Sequence, residues 1–298
     1  MYRSTVHSVK PRIAYPSPTR DAVGSRAGRH QPRGAIVSME VQNPTWSGID
    51  RRMGRLFAKD GKTLVLAFDH GNWGANHAGL RDPGKTLAEA VEAGADATLT
   101  TFGLALRFGK VIQRIGLAIN LDGLIGDPAY AVRQAVDLGA DFGKVIAHPG
   151  SPTDPESPFR AGRLSAVCRA HALPLMIEPI PVGFDATEHH SAENIGTGAR
   201  QAAEQGADLL KIQYTGDEAS FREVLAPLFL PTIVLGGPQR GSIREVLADV
   251  HGAMRCGAVG IAIGRNIWAH PTPAKVVAAM GAIIHGGASV DEAMRELG

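Results

Sequence analysis

The chain has 298 residues, of which 44% are hydrophobic and 20% charged, and its formal net charge is +2. That is an ordinary globular composition, its charge too small to argue for a nucleic-acid partner, and it contains no apolar run long enough for a membrane span. Its two cysteines, Cys168 and Cys256, lack metal-ligand spacing, which points to a reducing, cytoplasmic setting with neither a disulfide framework nor a metal centre.

Residues 1–45 hold seven Lys or Arg against only Asp21 and Glu40, and they are rich in Ser, Pro and Gly without periodicity. They read as a disordered basic tail, or as mis-assigned sequence ahead of a start at Met39. Such Arg-rich, acid-poor composition is also that of organelle transit peptides, but no amphipathic helix supports targeting. Residues 46–298 read as one further domain.

From residue 48 onward, eight short apolar runs alternate with segments of helical spacing. The runs are Thr63–His70, Ala95–Phe102, Gly116–Asp122, Phe142–His148, Pro174–Pro181, Leu209–Tyr214, Thr232–Gly236 and Ala258–Gly264. Each is rich in Val, Ile, Leu and Ala and bounded by Gly, Pro or Asp, as buried parallel strands are. Between them, Thr86–Ala93, Ala129–Leu138 and Ile195–Gln205 carry apolar residues at helical spacing. Strands alternating with helices imply βαβ units, and eight of them predict an α/β fold: a single (β/α)8 TIM barrel, with a doubly wound open sheet as the alternative. No Gly-x-Gly-x-x-Gly turn follows the first run, which speaks against a dinucleotide, and no other cofactor is expected.

Gly-Ala-Asp opens the second, fourth and sixth units, at Gly94, Gly139 and Gly206, and Gly257-Ala258-Val259 opens the eighth. A glycine just past a helix supplies the left-handed cap conformation. The echo also brings Lys144 into register with Lys211, so the two point to the lumen together or away from it together.

Active sites of such barrels form at the carboxyl ends of the strands. Those ends carry Asp69-His70-Gly71, Asn120-Leu121-Asp122, His148-Pro149-Gly150, Glu178-Pro179, Lys211 with Tyr214, Gly236-Gly237-Pro238 and Gly264-Arg265-Asn266. Lys211, flanked by Leu209-Leu210 and Ile212, stands out because a lysine is rarely fully buried without a partner. Desolvation lowers the pKa of such an amine, and a neutral amine forms Schiff bases with carbonyl compounds. Any one of these groups has a plainer role: a strand-end lysine reaching a carboxylate, an aspartate capping a loop, a satisfied histidine. Their gathering at one rim is what points to chemistry. Gly236-Gly237 with Gln239 and Arg240, and Gly264 with Arg265, predict a phosphate site after the last two strands, with ordinary tight turns as the alternative.

Asp69-His70-Gly71, the Gly206–Lys211 run, Gly236-Gly237-Pro238 and the run from Gly260 to Trp268 together resemble the archaeal-type class I fructose-bisphosphate aldolases. These belong with the DeoC/FbaB/LacD-like aldolases, a group that includes aminoheptulosonate synthases and the autoinducer-2 phosphate thiolase. The resemblance runs from about Arg52 to the C-terminus. It implies a Schiff base on Lys211, proton transfer assisted by Asp69, substrate phosphate held by Gly237, Gly264 and Arg265, a part in carbohydrate metabolism and a homo-oligomer. Two positions depart from the family pattern. Where a Tyr-Pro-Arg-Gly-like run is common, this chain has Ile177-Glu178-Pro179-Ile180, and where lysine often follows Gly-Gly-Pro it has Gln239.

The expected activity is therefore a lyase cleaving or forming a carbon–carbon bond in a phosphorylated ketose such as fructose 1,6-bisphosphate. Glu178 and Asp69 are the first acid/base candidates and Tyr214 the third, with His70 among the substrate-binding groups. Lys144, if it faces the lumen, would depress the pKa of Lys211 by like-charge repulsion. The alternatives are an imine-dependent transaldol-type synthase or thiolase on a related sugar phosphate, a non-catalytic sugar-phosphate-binding barrel, and a metal-dependent enzyme using His70, His148, Glu178 and Asp122.

Overall fold

The computed structural model describes residues 44–124, 126–237 and 241–298. The expected tail up to residue 43 lies outside these, as do Gln239 and Arg240. In chain order the elements are α1 (Pro44–Leu56), β1 (Thr63–Ala67), α2 (Pro83–Glu92), β2 (Ala97–Thr100), α3 (Phe102–Ile112), β3 (Gly116–Asn120), α4 (Pro128–Asp137), β4 (Phe142–Ala147), α5 (Ser157–Ala170) and β5 (Leu175–Pro179). There follow α6 (Ala192–Glu204), β6 (Leu209–Ile212), α7 (Glu218–Leu225), β7 (Thr232–Leu235), α8 (Ile243–Arg255), β8 (Gly260–Ile263), α9 (Arg265–Trp268), α10 (Pro273–Ile284) and α11 (Val290–Leu297). Helices start where the sequence offers caps. Asp82 and Asp127 accept from the N–H groups of Lys85 and Tyr130 ahead of a first-turn proline, and Ser242 with Glu245 forms a capping box.

The eight strands are parallel and close into a barrel in chain order, with β8 pairing back onto β1 from Thr63↔Gly260 to Leu66↔Ile263. That last pairing rules out an open sheet. Two boundaries move. Pro44 and Thr45, counted with the tail, belong to α1, and several strands are shorter than the apolar runs that announced them: β1 stops at Ala67 and β6 at Ile212. The runs continue past the last ladder pair because the loops stay covered; Phe68, for example, is buried. Among the described residues no helix is long and apolar enough to cross a membrane.

Alternation along the strands sorts the side chains into two cores. Val65, Ala67, Ala97, Leu99, Ala118, Phe142, Met176, Leu209, Ile233 and Ala262 fill the lumen, while residues one place along pack against the helices. Leu56 of α1 plugs the bottom of the lumen, and Thr63 Oγ1 donates to its carbonyl.

The Gly-Ala-Asp echo is a clip at that lower end. Gly94, Gly139 and Gly206 are left-handed, with φ of 99°, 75° and 90°. The aspartate that follows each of them donates its backbone N–H to the carbonyl of Leu64, Leu117 or Leu175. Its carboxylate then accepts the N–H of the same leucine, at 2.6, 3.0 and 2.9 Å. β1, β3 and β5 are thus each gripped at their start by both backbone groups of one residue. At the fourth occurrence Val259 makes only the backbone bond, to Thr232.

Replacing Asp208 by alanine leaves the N–H of fully buried Leu175 unpaired and deprives Arg169 of its partner at 3.0 Å. The expected loss is about 1–3 kcal/mol of unfolding free energy, read as a lower urea midpoint at unchanged slope. An unaltered midpoint would show that the clip contributes nothing.

Candidate active site

One step of the alternation above the apolar lumen the chemistry changes. Asp69, Asn120, Lys144, Glu178 and Lys211 follow Ala67, Ala118, Phe142, Met176 and Leu209 by two residues each, so they enter the same lumen about 7 Å nearer the carboxyl ends of the strands. Register brings them together. Ile146 pairs with Glu178, and Met176 and Ile177 pair with Leu209 and Leu210, so Glu178 stands between the strands that carry the two lysines.

Glu178 Oε1 lies 2.8 Å from Lys211 Nζ and Oε2 lies 3.0 Å from Lys144 Nζ. Lys144 also faces Asp122 Oδ2 at 3.1 Å and Asp69 Oδ2 at 3.8 Å. Asp122 is itself held, its other oxygen accepting the N–H of Ile146 at 2.8 Å. Asn120 sets Asp69. Its Oδ1 accepts the N–H of Asp122 at 2.8 Å, which turns its amide nitrogen to donate to Asp69 Oδ2 at 2.6 Å. All of this is nearly dry: Lys144, Glu178, Asp69 and Lys211 are 1%, 3%, 5% and 6% exposed.

Burial on its own would raise the Glu178 carboxyl, but Lys144 and Lys211 outweigh it and hold it at about 2. Burial likewise works against the charge on Lys144, yet Asp122, Glu178 and Asp69 drive its pKa above the ordinary lysine range. In the resting site Lys144 is therefore held as a cation and Glu178 as an anion. The expectation that Lys144 acts on Lys211 by bare repulsion needs amending, because a carboxylate stands between the two with one oxygen on each.

His70 lies on the turn after β1. Burial lowers its pKa, and the charges of Lys211 and Arg265 add to that against the pull of Asp69, so the ring is neutral. It meets Trp268 edge-on at 5.2 Å. Gly264 has to be glycine for this packing: a Cβ there would come within 2.2 Å of the Ala67 carbonyl oxygen and 2.4 Å of His70 Cε1. Gly236 is similarly pressed against Ile263, and Asn266 ties the two loops together by donating to the Gly236 carbonyl at 3.0 Å. Gly237 has φ of 61°, and Arg265 opens α9 with its side chain exposed.

Tyr214 is a correction. It follows Lys211 by three residues, an odd spacing, and so turns outward with Leu210 and Ile212. Its ring meets Phe221 of α7 at 5.0 Å and its hydroxyl lies over Gly252 of α8. Burial pushes its phenol up to about 12, and it does not join the lysines. His148 stands apart too, its Nδ1 3.4 Å from the Ile180 carbonyl and its ring edge-on to Phe184. Among the described residues no three His, Cys, Asp or Glu side chains converge as metal ligands. Asp122 and Glu178, which the metal reading would use, hold ammonium groups.

A family model described as DeoC/LacD family aldolase matches residues 63–270. The chain is 33% identical over 264 residues to a 2-amino-3,7-dideoxy-D-threo-hept-6-ulosonate synthase of Archaeoglobus fulgidus, covering 83% of this chain and 95% of that protein. It is 31% identical to a class 1 fructose-bisphosphate aldolase of Thermoproteus tenax, covering 80% and 95% of the two. Among solved structures it resembles an archaeal fructose-1,6-bisphosphate aldolase whose catalytic lysine is covalently bound to the carbinolamine intermediate. That match has a TM-score of 0.69 and 27% identity over 80% of this chain and all of the other.

Because the Glu178 carboxyl lies at about 2 in the folded chain against an ordinary 4.5, its ion pairs add stability that is complete above about pH 4.5 and is lost as pH falls toward 2. Glu178→Gln should lower stability at neutral pH by about 3–5 kcal/mol, as breaking a buried pair does, and should flatten the acid side of the stability profile. Melting temperatures measured between about pH 7 and pH 3 check this. Parallel curves for the two proteins would contradict it.

Proposed function

The chain belongs to the DeoC/LacD aldolase family and is a carbon–carbon lyase, and from that premise we propose that it acts on a phosphorylated ketose such as fructose 1,6-bisphosphate through a Schiff base on Lys211. The observation that carries this reading is a buried amine in hydrogen-bond contact with a carboxylate that a second buried lysine keeps anionic. In its unprotonated form Lys211 Nζ adds to the substrate carbonyl carbon. Glu178 Oε1, at 2.8 Å, is within reach of the proton released from that nitrogen and can return it to the departing hydroxyl, which leaves as water.

The resulting iminium accepts the electron pair of the neighbouring carbon–carbon bond and becomes an enamine. The hydroxyl beside that bond must lose its proton as it becomes a carbonyl. Asp69, turned by Asn120 and not itself in contact with Lys211, is the carboxylate we assign to that step. Lys144 offers a fixed positive charge to oxygen atoms that gain electron density. The substrate phosphate goes to the backbone N–H groups about Gly236, Gly237 and Gly264 with Arg265, and His70 serves as a neutral hydrogen-bonding group. Gln239 and Arg240, also expected there, lie outside the described residues.

One observation favours a second reading, a synthase that transfers the enamine to another acceptor. Identity to the aminoheptulosonate synthase is as high as to the aldolase, and an enamine on Lys211 could serve such a transfer as well as a cleavage. The proposal also carries a cytoplasmic location and a homo-oligomer, the second of which sedimentation of the purified protein tests.

Borohydride reduction with dihydroxyacetone phosphate or fructose 1,6-bisphosphate should leave an adduct that maps to Lys211, and Lys211→Met should abolish it. Full activity in that variant would sink the assignment. Glu178→Gln should slow both trapping and cleavage by about 10²–10⁴-fold. Asp69→Asn should still trap dihydroxyacetone phosphate while losing cleavage; equal loss of both would return the two carboxylates to a single shared role.

A further inference from the structure

Beyond Lys211 the alternation of β6 continues to Gln213, and its carboxamide has an orientation that the neighbouring loop decides. His190 Nε2 lies 2.9 Å from the Gly183 carbonyl. A carbonyl only accepts, so that ring nitrogen carries the proton and, in the neutral ring, Nδ1 offers a lone pair. Gln213 Nε2 lies 3.0 Å from Nδ1 and donates to it. Gln213 Oε1 is therefore turned away from His190. It is buried and accepts from no group among the described residues.

The loop that sets this orientation is itself held under strain. Val182 has φ of 63°, a costly conformation for a β-branched residue. It is kept there by a Gly183 N–H to Pro181 carbonyl bond at 2.7 Å and by a bond from its own N–H to the Pro149 carbonyl at 2.9 Å. The Gly183 carbonyl, the imidazole and the amide thus form a chain with one direction. Gln213 and the Gly236–Gly237 loop also line a cavity that lies outside the lumen, against Ile195 of α6 and Val250 of α8; what aims Gln213 at the site is its spacing of two from Lys211.

An unpaired buried acceptor calls for a donor. An ionised phosphate oxygen brings no proton and would be repelled at this point, whereas a hydroxyl completes the bond. We infer that Gln213 is a specificity-determining residue whose Oε1 accepts a hydrogen bond from a hydroxyl of the substrate held at Lys211. The ligand class it selects is a polyhydroxylated carbonyl compound, and deoxy analogues are disfavoured because they leave the oxygen unsatisfied. His190 is a positioning residue that acts through Gln213. The inference rests on the Schiff-base reading of Lys211.

The test compares two probe pairs that differ by one hydroxyl. Borohydride trapping is measured with dihydroxyacetone phosphate against hydroxyacetone phosphate. Condensation of trapped-competent enzyme is measured with D-glyceraldehyde 3-phosphate against the same aldehyde lacking its 2-hydroxyl. The unaltered protein should prefer the hydroxylated member of at least one pair by about ten-fold or more. Gln213→Leu should bring that ratio close to unity while the adduct on Lys211 still forms with the deoxy probe. His190→Phe, which frees the amide to rotate, should lower the same ratio, and the double variant should do no more than Gln213→Leu alone. Ratios unchanged by Gln213→Leu, equal loss with both members of a pair, or no preference in the unaltered protein would each overturn the inference. Absence of any Lys211 adduct in the unaltered protein would overturn the Schiff-base reading itself, a result distinct from the others.

Discussion

One carboxylate, that of Glu178, bonded to two buried lysine side chains, is the interaction on which the site depends. Two lysines inside a water-excluded barrel repel each other and lose hydration, and lysine is seldom buried without a partner. Glu178 answers both problems with its two oxygens, one on Lys144 and one on Lys211. Asp122 and Asp69 supply the remaining opposite charge around Lys144. The arrangement leaves Lys144 with three carboxylate neighbours and Lys211 with one. The lysine less encumbered by anions is the one read here as the nucleophile, and the other is a permanent charge.

That layer can exist only because of what lies beneath it. Phe142, Met176 and Leu209 seal the lumen directly under Lys144, Glu178 and Lys211, and Leu56 closes the bottom. Water is excluded from below, so substrate and solvent approach from the carboxyl ends of the strands. The aspartate clips at Asp96, Asp141 and Asp208 fix how β1, β3 and β5 enter the barrel. A one-residue slip in β4, β5 or β6 would turn Lys144, Glu178 or Lys211 out of the lumen. Register at the lower end and chemistry at the upper end are in this sense one constraint. The close contacts of Gly236 and Gly264 act at the rim in a comparable way, since a Cβ at either would push the last two loops off the barrel.

Much of this was legible in the chain itself. Eight apolar runs separated by helical spacing were enough for the barrel, and the repeated Gly-Ala-Asp put Lys144 and Lys211 in the same register. Lys211, Glu178 and Asp69 announced themselves as ionisable groups at the ends of apolar runs, where a charge needs a reason. Tyr214 stands beside Lys211 at a strand end, which makes it a candidate in the sequence, whereas its spacing of three from Lys211 turns it onto Phe221 and Gly252. Asn120 and Gln213 passed without a role because amides are common at strand ends. Their meaning lies in which partner takes which end of the amide, Asp122 and Asp69 for one and His190 for the other.

The sequence by itself determined the alternation of strands and helices, the inward parity of each strand and the kinds of groups gathered at the carboxyl ends. Those features are local: they depend on periodicity and on residue type, both of which are properties of a stretch of chain. Closure of β8 on β1, the stationing of Glu178 between two lysines and the direction of the Gly183–His190–Gln213 chain were decided only in the tertiary structure. Each of these joins residues from different strands or loops, and the distances and hydrogen-bond directions that give them meaning arise only when the barrel closes.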